Sequence, residues 1–240
     1  MKRNNLFATL FLSAAIILSG CSSLNNTAKG GLLGGGGGAA IGAALGALIG
    51  KDGKSTAIGA AIGGAVGASA GAIIGKQMDK AKAEAAAIEG ANTQSITDAN
   101  GLPAVLVTFD SGILFATGSS TLSASAQSSL TKFAKILVEN PTLALSVLGH
   151  TDNTGFANST PAQSAQKNQE LSQKRAQSVV NFLTSKGALA SQFKEVAGKG
   201  QDMPIADNST AAGKAQNRRV EIYMYASEQM VKDAESQANK

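Results

Sequence analysis

The chain has 240 residues, with 21 Lys and Arg against 16 Asp and Glu, a formal net charge of +5. No dense basic run accompanies that excess, so nothing points to nucleic acid as a partner. One cysteine, Cys21, and one histidine, His150, exclude an internal disulfide framework, a cysteine-cluster zinc site and most metal or triad chemistry.

Residues 1–20 read as a processing signal. Lys2 and Arg3 precede an apolar run from Leu6 to Leu18 that is 13 residues long, too short to cross a bilayer as a helix. The run ends in Leu18-Ser19-Gly20-Cys21. This string resembles the lipobox of bacterial lipoproteins. The resemblance implies cleavage before Cys21, a lipid (palmitate among its acyl chains) on its thiol, and a linker over 21–29. Ser22, in place of the aspartate that retains such proteins at the inner membrane, implies a lipid anchor in the outer membrane with the C-terminal part in the periplasm.

Seventeen of the 28 glycines lie between Gly30 and Gly75, a stretch without proline or aromatic residues. They hold a period of four in two runs: Gly34, Gly38, Gly42, Gly46, Gly50, and then Gly59, Gly63, Gly67, Gly71, Gly75. That spacing lines one face of a helix and lets two backbones approach closely. Leu32 to Gly50 and Ser55 to Gly75 are uncharged runs of 19 and 21 residues, each long enough to cross roughly 30 Å of hydrocarbon. A helical hairpin is therefore expected over 30–76. The pattern resembles the glycine-zipper domains of bacterial envelope proteins, and it allows a homo-oligomer. Residues 77–102, rich in Ala, Lys and Glu and then broken at Gly90, Asn92 and Asn100-Gly101, read as a helical spacer.

Beyond residue 103 the pattern becomes that of a conventional core. Ala104–Phe109 and Gly112–Phe115 read as short β runs joined at Asp110-Ser111. Ser123 can cap a helix carrying Leu130, Phe133 and Leu137, which stops at Asn140-Pro141. Leu143–Leu148 reads as a strand, Asn168–Lys186 as a second helix with Gly187 at its C-terminal end, and Phe193–Gly198 and Val220–Tyr225 as further strands. Residues 227–240 read as a polar tail. The fold class is α+β: a β-α-β-α-β sheet with helices packed on it.

Three strings stand out in this region: Gly149-His150-Thr151-Asp152-Asn153-Thr154-Gly155, the run from Asn168 through Leu171 and Ser172 to Arg175-Ala176, and Asn217-Arg218-Arg219-Val220-Glu221-Ile222. In this order, each in its structural context, they resemble the OmpA-like peptidoglycan-binding domain over about 103–226. The whole chain resembles an OmpA-family lipoprotein with a glycine zipper ahead of that domain.

The resemblance implies a pocket for diaminopimelate of the cell-wall stem peptide. A zwitterion needs an acid for its ammonium and a planar guanidinium for its carboxylate. The motif carries Asp152 to the first role and Arg175 to the second. Asn168 is two helical turns from Arg175 and shares its face, and Thr151 adds a contact beside Asp152. The resemblance brings Arg218 or its neighbour Arg219 near the pocket as well; Arg218 is counted with the site, and which of the two points in stays open. His150, with no nucleophile or metal ligand beside it, reads as structural. Two departures from the family pattern appear. The stretch 156–167 is long and reads as a polar surface loop beside the pocket, and Ala116 stands where many relatives have an aspartate.

The reading that follows is a lipid-anchored outer-membrane protein that grips peptidoglycan noncovalently and tethers membrane to wall, needing no cofactor and no metal. The competing reading is a glycine-zipper membrane oligomer or pore positioned by the C-terminal domain. An enzyme is not expected, because a lone His cannot supply a metal amidase site.

Overall fold

A computed structural model describes residues 66–98 and 100–240. Its elements, in order, are helix α1 (Ala68–Ala86), strands β1 (Ala91–Thr97) and β2 (Pro103–Asp110), a helical turn α2 (Ser111–Leu114) and helix α3 (Ala124–Glu139). Then come strand β3 (Leu143–Gly149), helix α4 (Pro161–Ser185), a 3-10 turn (Ala190–Gln192), strand β4 (Phe193–Gly198), helix α5 (Ala211–Asn217), strand β5 (Arg219–Ala226) and helix α6 (Glu228–Ala238).

The five strands form one sheet in the order β1-β2-β5-β3-β4. Only β3 and β4 pair in parallel; every other neighbouring pair is antiparallel. Strand alternation sends Val105, Val107 and Phe109 of β2, Leu143, Leu145 and Val147 of β3, and Val220, Ile222 and Met224 of β5 to one face, where the helices cover them. Phe109 meets Phe133 of α3 edge to face at 6.1 Å, an arrangement aromatic quadrupoles favour. The opposite face carries a smaller patch around Leu148 and Tyr223, flanked by Ile96, Leu106, Ala197 and Tyr225.

This is the α+β sheet with packed helices read from the sequence, and the differences lie at its margins. Residues 77–102 are not a spacer. Buried Ala70, Ile74, Met78, Ala81 and Ala85 recur every three or four residues along α1, which packs on β1, β2 and α6. The edge strand β1 follows, and Asp98 closes the hairpin to β2 by accepting from the Asn100 and Leu102 N–H groups at 2.8 Å. Nor are residues 227–240 a tail: Ser227 caps α6, whose Met230, Val231 and Ala234 are buried. Gly112–Leu114 winds into α2 rather than a strand, because Asp110 caps it at the Gly112 N–H. Finally, α4 begins at Pro161, seven residues before the expected start, with Thr160 and Gln163 forming a capping box.

The expected zipper hairpin over 30–76 falls mostly outside the described residues. Its last glycines, Gly71 and Gly75, are buried in the first turns of α1. Among the described residues no helix is long and apolar enough to cross a membrane. Cys21 also lies outside the described residues.

Candidate functional site

A cleft of about 650 Å³ opens where β2 and β3 end and β5 begins. Thr151, Asp152, Asn168, Arg175 and Arg218 all line it, together with Ser111, Phe115, Ala116, Phe156 and Leu171. Each of the three sequence strings divides its residues between this cleft and the framework behind it.

In the first string, Gly149 lies against α4, where a Cβ would overlap the Ser172 carbonyl oxygen. Thr151 is fixed by its N–H donating to Gly200 O at 2.8 Å. Asp152 turns the chain by accepting from the Thr154 N–H at 2.8 Å. Its other carboxylate oxygen accepts from Arg218 Nη1 at 2.5 Å. Burial pushes the Asp152 carboxyl up, but the Arg218 guanidinium and Thr154 outweigh it and hold the group below the usual range. Asp152 is thus ionised at neutral pH.

In the second string, Asn168 donates to Thr154 O and Gln201 Oε1, clamping the Asp152 turn to α4. Seven residues on, Arg175 is only 3% exposed. Its Nε donates to Ser119 O at 3.0 Å and an Nη to Ala116 O at 3.5 Å, and the guanidinium stacks 5.2 Å from the Phe115 ring centroid. Among the described residues no carboxylate forms an ion pair with it. Burial and the charge of Arg218 both lower its proton affinity, while Asp152 raises it. Gln169, Ser172 and Gln173 stitch α4 to β4 and the turn after it. Gln169 donates to Gly198 O at 2.6 Å, Gln173 bonds the Gly198 N–H and Val196 O, and Ser172 accepts from the Gly200 N–H.

The third string settles which arginine faces the cleft. Arg218 does, with its side chain 39% exposed. Arg219 turns inward and pairs with Glu221 at 2.7 Å, and Tyr223 donates to the other Glu221 oxygen at 2.8 Å. His150 belongs to this buried group, its Nε2 3.3 Å from Glu221 Oε2, and it does not line the cleft. Burial lowers the His150 pKa despite Glu221. Contacts with His150, Arg219 and Tyr223 overcome burial and bring Glu221 down to about 2. Asn217, fully buried, accepts from the Ile205 and Ala206 N–H groups and donates to Ala206 O and Asn208, fixing the approach to β5.

The sequence reading missed the wall built by Ser111, Phe115, Phe156 and Leu171. The stretch 156–167 is not one loop: Phe156 and Ala157 line the cleft, and from Pro161 onward the residues are helix. Ala116 contributes its backbone carbonyl to Arg175, a role open to any side chain.

A charged cleft thus opens at one end of the sheet of a small α+β domain, and its buried cation Arg175 forms no ion pair with a carboxylate among the described residues. Its family is set by comparison with known proteins. The OmpA family model matches residues 114–218, and the YMGG-like Gly-zipper model matches residues 1–79. The probable lipoprotein YiaD of Escherichia coli (strain K12) is 35% identical over 229 residues, covering 92% of this chain and 98% of that protein. The outer-membrane lipoprotein YfiB of Pseudomonas aeruginosa is 36% identical over 116 residues, 48% of this chain and 64% of its own. Among solved structures, the cell wall anchor of the T6SS from Pseudomonas aeruginosa superposes with a TM-score of 0.50 at 28% identity, covering 62% of this chain and 96% of that one. A putative MotB-like protein from Desulfovibrio vulgaris shares the fold, with a TM-score of 0.53 at 21% identity over 63% and 90% of the two chains. The chain belongs to the OmpA-family lipoproteins that carry an N-terminal glycine-zipper segment.

Proposed function

We propose that the protein is an outer-membrane lipoprotein that binds peptidoglycan noncovalently through the diaminopimelate of its stem peptide, and that it is a tether rather than an enzyme. The observation that carries this reading is Arg175: a guanidinium nine-tenths buried, bonded only to carbonyl groups, at the wall of a cleft that also holds ionised Asp152. A buried cation without an anion is costly, and a ligand carboxylate would supply the missing charge. Asp152, partly offset by Arg218, would take the ligand ammonium. Thr151 and Asn168 shape the turn that presents Asp152. With a lipid on Cys21 and the cleft on the wall, two attachments on one chain raise the local concentration at the second, so moderate affinity suffices.

The test is co-sedimentation of the full chain with purified peptidoglycan, with and without free diaminopimelate as competitor. Arg175→Lys keeps the charge and loses the planar fork, and Asp152→Asn removes the attraction for ammonium. Each should weaken binding about ten- to a hundredfold with an unchanged circular dichroism spectrum. Wild-type binding by both folded variants would refute the pocket.

A further inference from the structure

The charges at the cleft exceed what a single zwitterion balances. Of the three ionic groups lining it, Arg218 and Asp152 pair with each other and Arg175 remains unmatched. Two more cations stand at the rim: Lys167, its Nζ 5.6 Å from the Phe156 ring centroid, and Lys214. Lys214 of α5 donates its Nζ to Thr154 Oγ1 at 3.3 Å, and Thr154 lines the cleft. Among the described residues no carboxylate forms an ion pair with Lys214.

The backbone of Lys214 is held firmly. Thr210 caps α5 at the Gly213 N–H, and buried Asn217 pins the other end to residues 205–208. Arg218 follows one turn later, its N–H donating to Lys214 O at 3.1 Å. Lys214 and Arg218 therefore come to the Asp152–Thr154 turn from one fixed helix end, one bonded to Thr154 and the other to Asp152.

We propose that Lys214 is a specificity-determining residue that reads a second carboxylate on the bound peptide, apart from the zwitterionic end. The proposal rests on the peptidoglycan reading above and names what that ligand must carry. A zwitterion brings no net charge, whereas cleft and rim together carry a positive excess, Arg175, Arg218, Lys167 and Lys214 against Asp152 and Asp110. A stem peptide with a further free carboxylate matches that excess, and one whose carboxylate is amidated does not.

The test uses the full chain in detergent and two soluble ligands, both with the carboxyl of the acylated diaminopimelate centre blocked as its amide: the free acid, which is the tripeptide L-alanyl-γ-D-glutamyl-meso-diaminopimelate with its glutamate α-carboxylate free, and the amide, which is the same compound with that group amidated too. Calorimetry should show the wild type binding the free acid about three- to tenfold more tightly, with the preference shrinking as salt rises. Lys214→Gln should bind both ligands alike, at the affinity the wild type shows for the amide, and Lys214→Arg should keep the preference. Equal binding of the two ligands by the wild type, or a preference that survives in Lys214→Gln, overturns the role of Lys214 while leaving the pocket standing. Failure of the wild type to bind either tripeptide overturns the peptidoglycan reading itself, and this proposal with it.

Discussion

Buried beneath the cleft, His150 is a base kept neutral by its surroundings. Burial lowers its pKa below the ordinary 6.5, Arg219 and Lys199 push the same way, and Glu221 opposes them. As pH falls through about 6.5, the unfolded chain takes up a proton that the folded chain refuses. The unfolded state is thereby favoured, and stability declines until the folded imidazole titrates. Thermal melts of the wild type should therefore fall from pH 7.5 to 5.5, and His150→Gln should flatten that part of the profile. An equal slope in the variant would remove His150 as its cause. The buried group beside this histidine is partly legible in the sequence: Arg219, Glu221 and Tyr223 alternate along β5, so they share a face. By contrast, nothing in the pair Arg218-Arg219 says which one meets Asp152. That depends on where β3 lies beside β5, a non-local fact.

Among the elements, α4 does most to shape the cleft, and it can do so because two strand ends leave it room. A Cβ on Gly149 would overlap Ser172 O, and one on Gly198 would overlap Gln173 N and Ser172 Oγ. Gly198→Ala should cost about 3 kcal/mol of stability in urea denaturation, since backbone must move to admit the methyl group. Gly155→Ala, whose new methyl group would sit 3.5 Å from Ser164 Oγ, an ordinary contact, is the matched control and should change little. Near-neutral behaviour of Gly198→Ala would mean that the helix and strand are less tightly apposed. The apolar face of α4 was readable from Leu171 to Leu183, but its start was not. Pro161 inside a polar run looked like a loop, although Thr160 and Gln163 carried the capping-box spacing. Strand β1 was unreadable for another reason. Ala-Asn-Thr-Gln-Ser-Ile-Thr is mostly polar, as an edge strand can be.

For the whole molecule, the motif-bearing stretch and the folding unit differ in extent. The segment 103–226 holds every cleft residue, yet it omits α1, β1 and α6. Removing them takes away the buried Ile74, Met78, Met230 and Val231, all 3% exposed or less, uncovers the sheet side chains they pack on, and turns β2 into a bare edge. Each such side chain contributes about 1.5–3 kcal/mol on burial, a large share of the ~5–15 kcal/mol typical of a domain. A 66–240 fragment should melt cooperatively, while 103–226 should bind a hydrophobic dye and lack a sharp transition. Equal melting temperatures would show α1, β1 and α6 to be dispensable.

Helix α1 also has a mechanical consequence. If the chain is held by a lipid near residue 21 and gripped at its cleft, as proposed above, tension passes through the elements between the two points. Tension arriving at residue 66 meets α1 first, and α1 is held by a narrow row of Ala, Ile and Met against the sheet and α6. The ladder of β1 and β2 lies behind it. Under such stretch α1 should peel before any strand parts, so the fold should give way at the end farthest in sequence from its grip and keep the cleft assembled while it does.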